Sequence, residues 1–238
     1  YVINKEGVGL FVPYFSAYKK WREKGLDAMH DLLNLGKEVT AITMDLASFY
    51  HRVNPKFLLR EDFLKTIGVN LNNYEKQFTK QLISSISTWY KLTPDYSKKY
   101  TSALPVGLSA SKVISNILLY ELDLKIVNSI NPQYYGRYVD DLFLVFETPP
   151  TISGGDSVLE FLCESIDILQ LKMKNKKNKG LGIEIKLNYA QDSHLEFEAK
   201  KQKIFSLSAE FGLDLVNQIS SQIKAQSSEY RMLPDIPR

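Results

Sequence analysis

The sequence of residues 134–147 is Tyr-Tyr-Gly-Arg-Tyr-Val-Asp-Asp-Leu-Phe-Leu-Val-Phe-Glu, an apolar run interrupted by two adjacent acids. Its aromatic and β-branched residues predict two short strands, 134–139 and 142–147, joined at Asp140 and Asp141. A carboxylate buried without a partner loses much of its solvation energy, so two acids between buried strands need compensation. The alternative is a hairpin tip at which both acids face water.

A further acid, Asp45, stands near the end of a second predicted strand, residues 39–46. Its simpler interpretation is an acid that caps the next helix. Acids carried by two strands of one sheet can also converge on a divalent metal. Magnesium prefers carboxylate oxygens, and two such ions would stabilise the attacking and leaving oxygens of a phosphoryl transfer.

Periodicity along the chain predicts an α+β fold, an antiparallel sheet backed by helices on one face. The predicted helices cover residues 26–35, most of 57–92, 110–127, 158–171 and 212–225. The predicted strands cover 39–46, 134–139, 142–147 and 182–187, with a hairpin of 194–198 and 203–207. This order occurs in enzymes and non-enzymes alike, so it does not decide function.

Composition excludes several classes of protein. The 238 residues carry a net charge of +3, which is compatible with nucleic-acid binding without demanding it. Cys163 is the single cysteine, so an internal disulfide and a cysteine-based zinc site are excluded, and a reducing cytoplasm fits. The histidines lack zinc-like spacing, and no phosphate-binding Gly-Lys-Ser/Thr loop occurs. The sequence contains no run of about 18 apolar residues, so no membrane span is predicted.

Three segments, in order, resemble the palm motifs of reverse transcriptases. They are Val-Thr-Ala-Ile-Thr-Met-Asp-Leu-Ala-Ser-Phe-Tyr at 39–50, Leu-Pro-Val-Gly-Leu-Ser-Ala-Ser at 104–111, and Arg-Tyr-Val-Asp-Asp at 137–141. The resemblance implies a right-hand polymerase palm with partial fingers and the start of a thumb. The implied divisions are partial fingers (1–36), palm (37–207) with a fingers insertion at about 55–103, and a connection to a thumb or C-terminal domain (208–238). Because the sequence starts at Tyr1 and ends in a proline-rich stretch, we expect it to be an excerpt of a longer protein.

The same resemblance implies the site residues. Asp45 and Asp140 would be the main ligands of two Mg²⁺ ions, with Mn²⁺ as an alternative, and Asp141 the third acid. Tyr50 would be a steric gate against ribose, unless it is a core tyrosine. The implied nucleotide-binding residues are Leu46, Phe49, Tyr50, Pro105, Val106, Gly107 and Lys203. Lys203 is the candidate proton donor to pyrophosphate, with Lys200 and Lys201 as competitors, and residues 194–207 would form a primer-grip hairpin. Lys19, Lys20 and Arg22 are candidates for binding the triphosphate.

Two departures resemble the bacterial abortive-infection and defence-associated reverse transcriptases. Many reverse transcriptases have glutamine in place of Val106 and proline in place of Lys112, and residues 228–234 also resemble the defence group. The resemblance implies a cytoplasmic bacterial enzyme of anti-phage defence, from a group in which some members synthesise DNA without a template and prime from a protein hydroxyl. Implied partners are deoxynucleoside triphosphates, an RNA template or associated non-coding RNA, and the DNA product. Homo-oligomerisation is left open, and no membrane partner is expected.

Alternative functions remain at this point. A retron-like or group II intron-like enzyme would copy a template in the ordinary way. A non-catalytic nucleic-acid-binding module, or a structural protein with an inactive polymerase fold, would not need the three acids, which repel phosphate unless metal is bound. The segment Gly154-Gly155-Asp156 resembles the diguanylate cyclase signature, but it lies in a proline-rich loop and lacks the following Glu-Phe.

Overall fold

The computed structural model describes residues 14–96, 100–173 and 181–229. The helices are α1 (Tyr14–Asn34), α2 (Phe49–Arg52), α3 (Glu61–Thr66), α4 (Asn73–Lys91), α5 (Ser109–Leu118), α6 (Tyr120–Ile130), α7 (Gly155–Ser165) and α8 (Gly212–Glu229). The strands are β1 (Val39–Asp45), β2 (Tyr134–Tyr138), β3 (Asp141–Glu147), β4 (Leu169–Met173), β5 (Leu181–Ile185), β6 (Leu195–Glu196) and β7 (Lys203–Leu207). The predicted α+β class is confirmed.

The central sheet has the strand order β2-β3-β1-β7, and all neighbouring strands in it are antiparallel. Because side chains alternate along a strand, Ile42 and Leu144 face a large core shared with α5, α6 and α7. Ala41 and Val145 point the other way, into a smaller core with α1 and α8. The expectation of helices on one face is therefore wrong, since helices pack on both.

A second, three-stranded sheet has the order β4-β5-β6 and meets the central sheet through a bridge between Leu46 and Phe197. The predicted hairpin of 194–198 with 203–207 does not form. Its first arm, β6, pairs with β5, and its second arm, β7, pairs with β1. Both arms are half-buried strands, and the pattern of a strand does not specify its partner.

One predicted helix is shorter than expected, and a second predicted helical stretch is divided. The helix predicted over 158–171 ends at Ser165, and residues 169–173 form β4 instead, because pairing with β5 satisfies their backbone groups. The largely helical stretch 57–92 begins as a 3₁₀ turn, Pro55–Leu59, and continues as α3 and α4. Gly68, with φ of 67°, ends α3, since a positive φ suits glycine at a helix C-terminus.

The helix predicted over 110–127 is two helices, α5 and α6, with a break at Leu119. At a break the carbonyls of the preceding turn lose their helical partners. Here side chains from elsewhere take two of them. Tyr189 Oη donates to the Leu118 carbonyl at 2.8 Å, and Arg137 Nη2 donates to the Asn116 carbonyl at 3.1 Å. Insertion of side-chain donors into the helical ladder is an established cause of such breaks.

The first described helix, α1, begins at Tyr14 rather than at residue 26 as predicted. In its N-terminal half, Tyr18 packs against Tyr138 of β2 and Trp21 against Phe143 of β3, and the polar residues between them obscure the apolar period. Among the described helices, none combines the length and apolar character needed to cross a bilayer. Residues 1–13, part of the predicted fingers, and residues 230–234 of the defence-like segment lie outside the described part of the chain.

Candidate active site

Antiparallel pairing brings the three predicted acids to one end of the central sheet. Asp45, the last residue of β1, is the register partner of Asp141, the first residue of β3. Directly opposed residues have Cβ atoms about 5 Å apart. Asp140 precedes Asp141 in the turn, and its carbonyl accepts a hydrogen bond from the Leu46 N–H at 3.1 Å.

The β2–β3 turn has an unusual backbone. Its two central residues are Val139 and Asp140, and Val139 has φ of 59°. A positive φ at the first central position is typical of type II′ hairpin turns, which normally have glycine there. For a β-branched residue this conformation costs about 1–3 kcal/mol, and it persists only when the surroundings impose it. Strain of this kind clusters at functional sites.

A lysine contacts the first acid directly. Lys201 lies in the segment that connects β6 to β7. Its Nζ is 2.6 Å from Asp45 Oδ2. Hydrogen bonding and charge attraction from Asp45 raise the pKa of Lys201, with smaller contributions from Asp140 and Asp141. Lys201 is therefore a protonated donor whose charge interacts with all three carboxylates.

The two adjacent acids hold protons more tightly than surface aspartates do. Burial raises the pKa of Asp141 to about 6, with further increases from Asp140 and Asp45, while Lys201 opposes the change. Burial also raises the pKa of Asp140, and Asp45 adds to the increase. Half-buried carboxylates that lie close together repel one another when ionised, so a bound cation stabilises their charged forms strongly.

A cleft of about 500 Å³ opens beside these acids. Asp45 and Asp141 line it together with Arg22 of α1, Phe205 of β7 and the basic residues Lys200, Lys201 and Lys203. Lys203 pairs with Thr43, two positions before Asp45 on the same face of the sheet. Arg22 is the member of the predicted triphosphate group that lines the cleft.

The second motif lies against the first through Tyr50. The Tyr50 carbonyl accepts from the Leu104 N–H at 2.7 Å, and Ser115 Oγ of α5 lies 3.5 Å from Tyr50 Oη. The loop that follows Leu104 presents Val106 with 76% of its surface exposed, and Gly107 has φ of 91°. Tyr50 is half-buried, so its ring is available at the surface between the two motifs.

Two of the predicted nucleotide-binding residues are in the core. Leu46 is 1% exposed and Phe49 is 3% exposed. A contact between either side chain and a nucleotide would require the core to rearrange. Their burial anchors the chain on both sides of the Ala47-Ser48 bend, where Ser48 adopts φ of 49°.

Comparison with known families identifies the chain. The family description "Reverse transcriptase (RNA-dependent DNA polymerase)" matches residues 11–233, which is nearly the whole sequence. This chain belongs to the reverse transcriptase family. It is accordingly an RNA-directed DNA polymerase, a nucleotidyltransferase that acts on deoxynucleoside triphosphates and a nucleic-acid template.

Reverse transcriptases generally use divalent metal ions, and the acids of this chain have the appropriate chemistry. Asp45 and Asp141 are register partners, Asp140 adjoins them in the turn, and carboxylate oxygens are the ligands that Mg²⁺ and Mn²⁺ accept. Within residues 14–96, 100–173 and 181–229, no three acidic, histidine or cysteine side chains are arranged as a metal-binding group. The acids nevertheless fit a divalent metal by the type of their oxygens and by their place at one end of the sheet. Asp45 would release Lys201 to bind the metal.

Two features of the reverse transcriptase site were not predicted from sequence. The Lys201–Asp45 ion pair selects one lysine among three that are equivalent in the sequence. Tyr18 packs edge-on against Tyr138 at 5.3 Å between ring centroids, and burial, followed by the charge of nearby Asp141, raises the pKa of Tyr18. Neither has a sequence signal, because both contacts join segments that are far apart in the chain.

Proposed function

We propose that Asp45, Asp140 and Asp141 are the catalytic carboxylates of this reverse transcriptase and that they bind its metal ions. The observation that carries the proposal is the register of the central sheet, in which Asp45 stands opposite Asp141 with Asp140 in the adjoining turn. The raised pKa of Asp141, about 6, supports the proposal. Acids that are hard to ionise next to one another are strongly stabilised in their charged form when a cation binds between them.

The chain's own groups have distinct parts in this proposal. Two divalent ions would supply the acidity of the attacking hydroxyl and the charge that stabilises the leaving pyrophosphate. Lys201, already protonated beside Asp45, is the best-placed donor of a proton to pyrophosphate, ahead of Lys203 and Lys200. Tyr50 would exclude the ribose 2′-hydroxyl. Pro105, Val106 and Gly107 would line the nucleotide pocket.

The right-hand arrangement and its divisions belong to the same proposal. Residues 37–207 would be the palm, residues 55–103 its fingers insertion, and α8 the start of the connection toward a thumb. The antiparallel sheet with acids at one end supports this division. Val216 of α8 packs in the smaller core with Val39 of β1 and Leu207 of β7, which supports a connection that starts on the palm rather than apart from it.

For the subtype, we propose a bacterial cytoplasmic defence enzyme that, besides copying a template, can synthesise DNA without one and then primes from a protein hydroxyl. Val106 supports this. Its exposed apolar side chain stands where many reverse transcriptases have glutamine, so this position offers no polar side chain to a template–nucleotide pair. A templated enzyme of the retron or group II intron kind is the alternative.

Nucleotide incorporation by the full-length protein tests both levels. The assay uses Mg²⁺ and labelled deoxynucleotides, with and without a primer–template. We expect product in both conditions, attached to protein when no primer is added. Product that depends strictly on the primer–template would overturn the template-independent proposal and leave the polymerase assignment intact.

Asp140→Asn tests the catalytic assignment, because it removes charge with almost no change in size. We expect a loss of at least about 10³-fold in rate with a retained thermal melt. Asp31→Asn, the same change at an exposed position of α1, is the matched control and should keep full activity. Equal rates for the two variants would show that Asp140 is not a catalytic carboxylate.

A further inference from the structure

The side chain of Arg137 joins the acid-bearing turn to the break between α5 and α6. Arg137 lies on β2, next to the turn, and its side chain is 6% exposed. Its guanidinium makes five hydrogen bonds. Nε and Nη2 donate to the two carboxylate oxygens of Asp123 at 2.8 and 2.6 Å, Nη1 donates to Asn116 Oδ1 at 3.0 Å and to the Val139 carbonyl at 2.9 Å, and Nη2 donates to the Asn116 carbonyl at 3.1 Å.

A guanidinium has five N–H groups, so all of its donors are used. The planar fork fixes the direction of each bond, and a lysine in its place could not reproduce the arrangement. Tyr135, two residues before Arg137 on β2, donates from its Oη to the same Asp123 carboxylate at 2.6 Å. The cluster of Arg137, Asp123, Asn116 and Tyr135 is therefore a completed polar network rather than a surface ion pair.

One of the five bonds reaches the strained residue of the turn. The carbonyl of Val139 belongs to the peptide group that carries the Asp140 N–H, so the bond from Arg137 sets the orientation of that peptide plane. Val139 holds a positive φ that a valine does not adopt unaided. The guanidinium thus supplies a contact that maintains the turn conformation from which Asp140 and Asp141 project.

The other end of the network is anchored at the helix break. The Asn116 carbonyl, in the last turn of α5, is one of those that a continuous helix would have used internally. By accepting from Arg137 it links the geometry of the turn to the angle between α5 and α6. α5 follows the loop with Val106 and Gly107, so the network connects two motifs of the site.

We propose that Arg137 is a positioning residue that holds Asp140 and Asp141 in metal-binding geometry by tying their turn to the α5–α6 break. The inference rests on the proposed metal-binding role of those acids. A purely structural role for the same ion pair would affect stability alone. Metal affinity and the Mg²⁺ dependence of the rate separate the two roles.

The test uses Arg137→Lys in the full-length protein, which keeps the charge and loses the fork. Mn²⁺ binding is measured from the electron paramagnetic resonance of the free ion, at a temperature where thermal melts show the variant folded. We expect affinity for Mn²⁺ to fall by at least about threefold. We also expect the rate at saturating Mg²⁺ to fall at least about tenfold, with the Mg²⁺ needed for half the maximal rate increased.

Tyr189→Phe is the matched control, because it removes the other buried side-chain bond to the same break, at Leu118, without touching the turn. It should lower the melting temperature and leave Mn²⁺ affinity unchanged. If Arg137→Lys does not fold, Asn116→Ala, which removes a single side-chain acceptor and leaves the Asp123 pair, is measured instead. It should shift Mn²⁺ affinity in the same direction.

Two results are decisive. The positioning role would be overturned if folded Arg137→Lys protein keeps the wild-type Mn²⁺ affinity and Mg²⁺ dependence. The same result for Asn116→Ala would overturn it where that variant has to be used instead. Asp140→Asn, measured in parallel, shows whether the underlying proposal stands. If Asp140→Asn also binds Mn²⁺ like the wild type, the metal-site assignment has failed; if it alone loses Mn²⁺, the positioning role of Arg137 alone has failed.

Discussion

At the scale of single residues, the ionisation of Asp141 makes the stability of the metal-free protein depend on pH. Its pKa is about 6 in the folded protein, raised by burial and by neighbouring acids, against about 4 in an unfolded chain. The folded state therefore binds the proton more tightly. The contribution of Asp141 to stability is full below about pH 4 and is lost as the pH rises through 6.

We expect Asp141→Asn to melt at a higher temperature than the wild type at pH 7.5 and to lose most of that advantage at pH 4. The substitution keeps the neutral form at every pH. Thermal melts with a chelator present at both pH values measure the difference. An advantage of the same size at pH 4 and 7.5 would contradict the assigned pKa shift.

Tyr50 leads to a prediction about sugar selectivity. Its half-buried ring lies between the first and second motifs, and its hydroxyl makes a long contact, 3.5 Å, with Ser115 Oγ. Tyr50→Val should therefore fold and should admit the ribose 2′-hydroxyl. We expect the ratio of kcat/KM for ribonucleotides to that for deoxynucleotides to rise by roughly one to two orders of magnitude.

Single-nucleotide kinetics with paired ribo- and deoxynucleotides measure that ratio. Tyr74→Val is the matched control, because Tyr74 lies on α4 with its ring in solvent. The control should leave selectivity as in the wild type. If Tyr50→Val behaves like the control, Tyr50 is a packing residue of the core and not a gate.

At the scale of secondary-structure elements, the approach of α1 to the central sheet depends on a missing side chain. A Cβ atom at Gly25 would overlap the ring of Phe143 on β3. In an exposed helix, Gly→Ala normally stabilises by about 0.5–1 kcal/mol. Here the ring or the helix must move, so Gly25→Ala should destabilise the protein by about 1–3 kcal/mol.

Chemical denaturation of Gly25→Ala and Gly155→Ala tests this packing. Gly155 begins α7, and a Cβ there would meet only Ile204, at an ordinary contact distance of 3.9 Å. Gly155→Ala should be neutral or slightly stabilising. Adding Phe143→Leu to Gly25→Ala should recover part of the lost stability, and equal effects of the two alanines would show that α1 does not approach the sheet this closely.

The α5–α6 break shows at the same scale where sequence patterns stop being informative. Leu118 and Leu122 continue one apolar stripe across the break, so periodicity predicts a single helix. The donors that open the helix, Arg137 and Tyr189, come from later in the chain. A local pattern has no information about which distant side chains will reach a given carbonyl.

At the scale of the whole molecule, basic residues are concentrated around the cleft, although the net charge is only +3. Basic residues, among them Arg22 and Lys200, line the cleft beside the acids. A cationic rim of this kind binds nucleic acid mainly through phosphates, and binding then weakens as salt rises. Lys200 lines the cleft and is exposed, so it can contact a phosphate without a change in the fold.

We expect Lys200→Gln to weaken binding of a primer–template duplex and to reduce the slope of log affinity against log salt by about 1. Lys65→Gln, at an exposed position of α3 that is not part of the cleft, should change neither. Fluorescence anisotropy over a range of salt concentrations measures both slopes. Identical slopes for the two variants would place the nucleic acid away from this cleft.

The sequence by itself determined which residues form the strands of the central sheet and which acids stand at their ends. It could do so because strand period, turn residues and the Tyr-Val-Asp-Asp segment are local, and because three motifs in order identify the family. Most helix limits were less accurate, since they depend on neighbours such as Phe143 and β5 that a local pattern does not specify.

Only the tertiary structure decided the rest. The register that sets Asp45 opposite Asp141 joins strands about a hundred positions apart, and a shift of one residue would turn one acid to the other face. Lys201, rather than Lys203, reaches Asp45 because β6 and β7 separate into two sheets and the connecting segment crosses the site. These relations depend on the distances between distant segments, which packing fixes and local sequence does not encode.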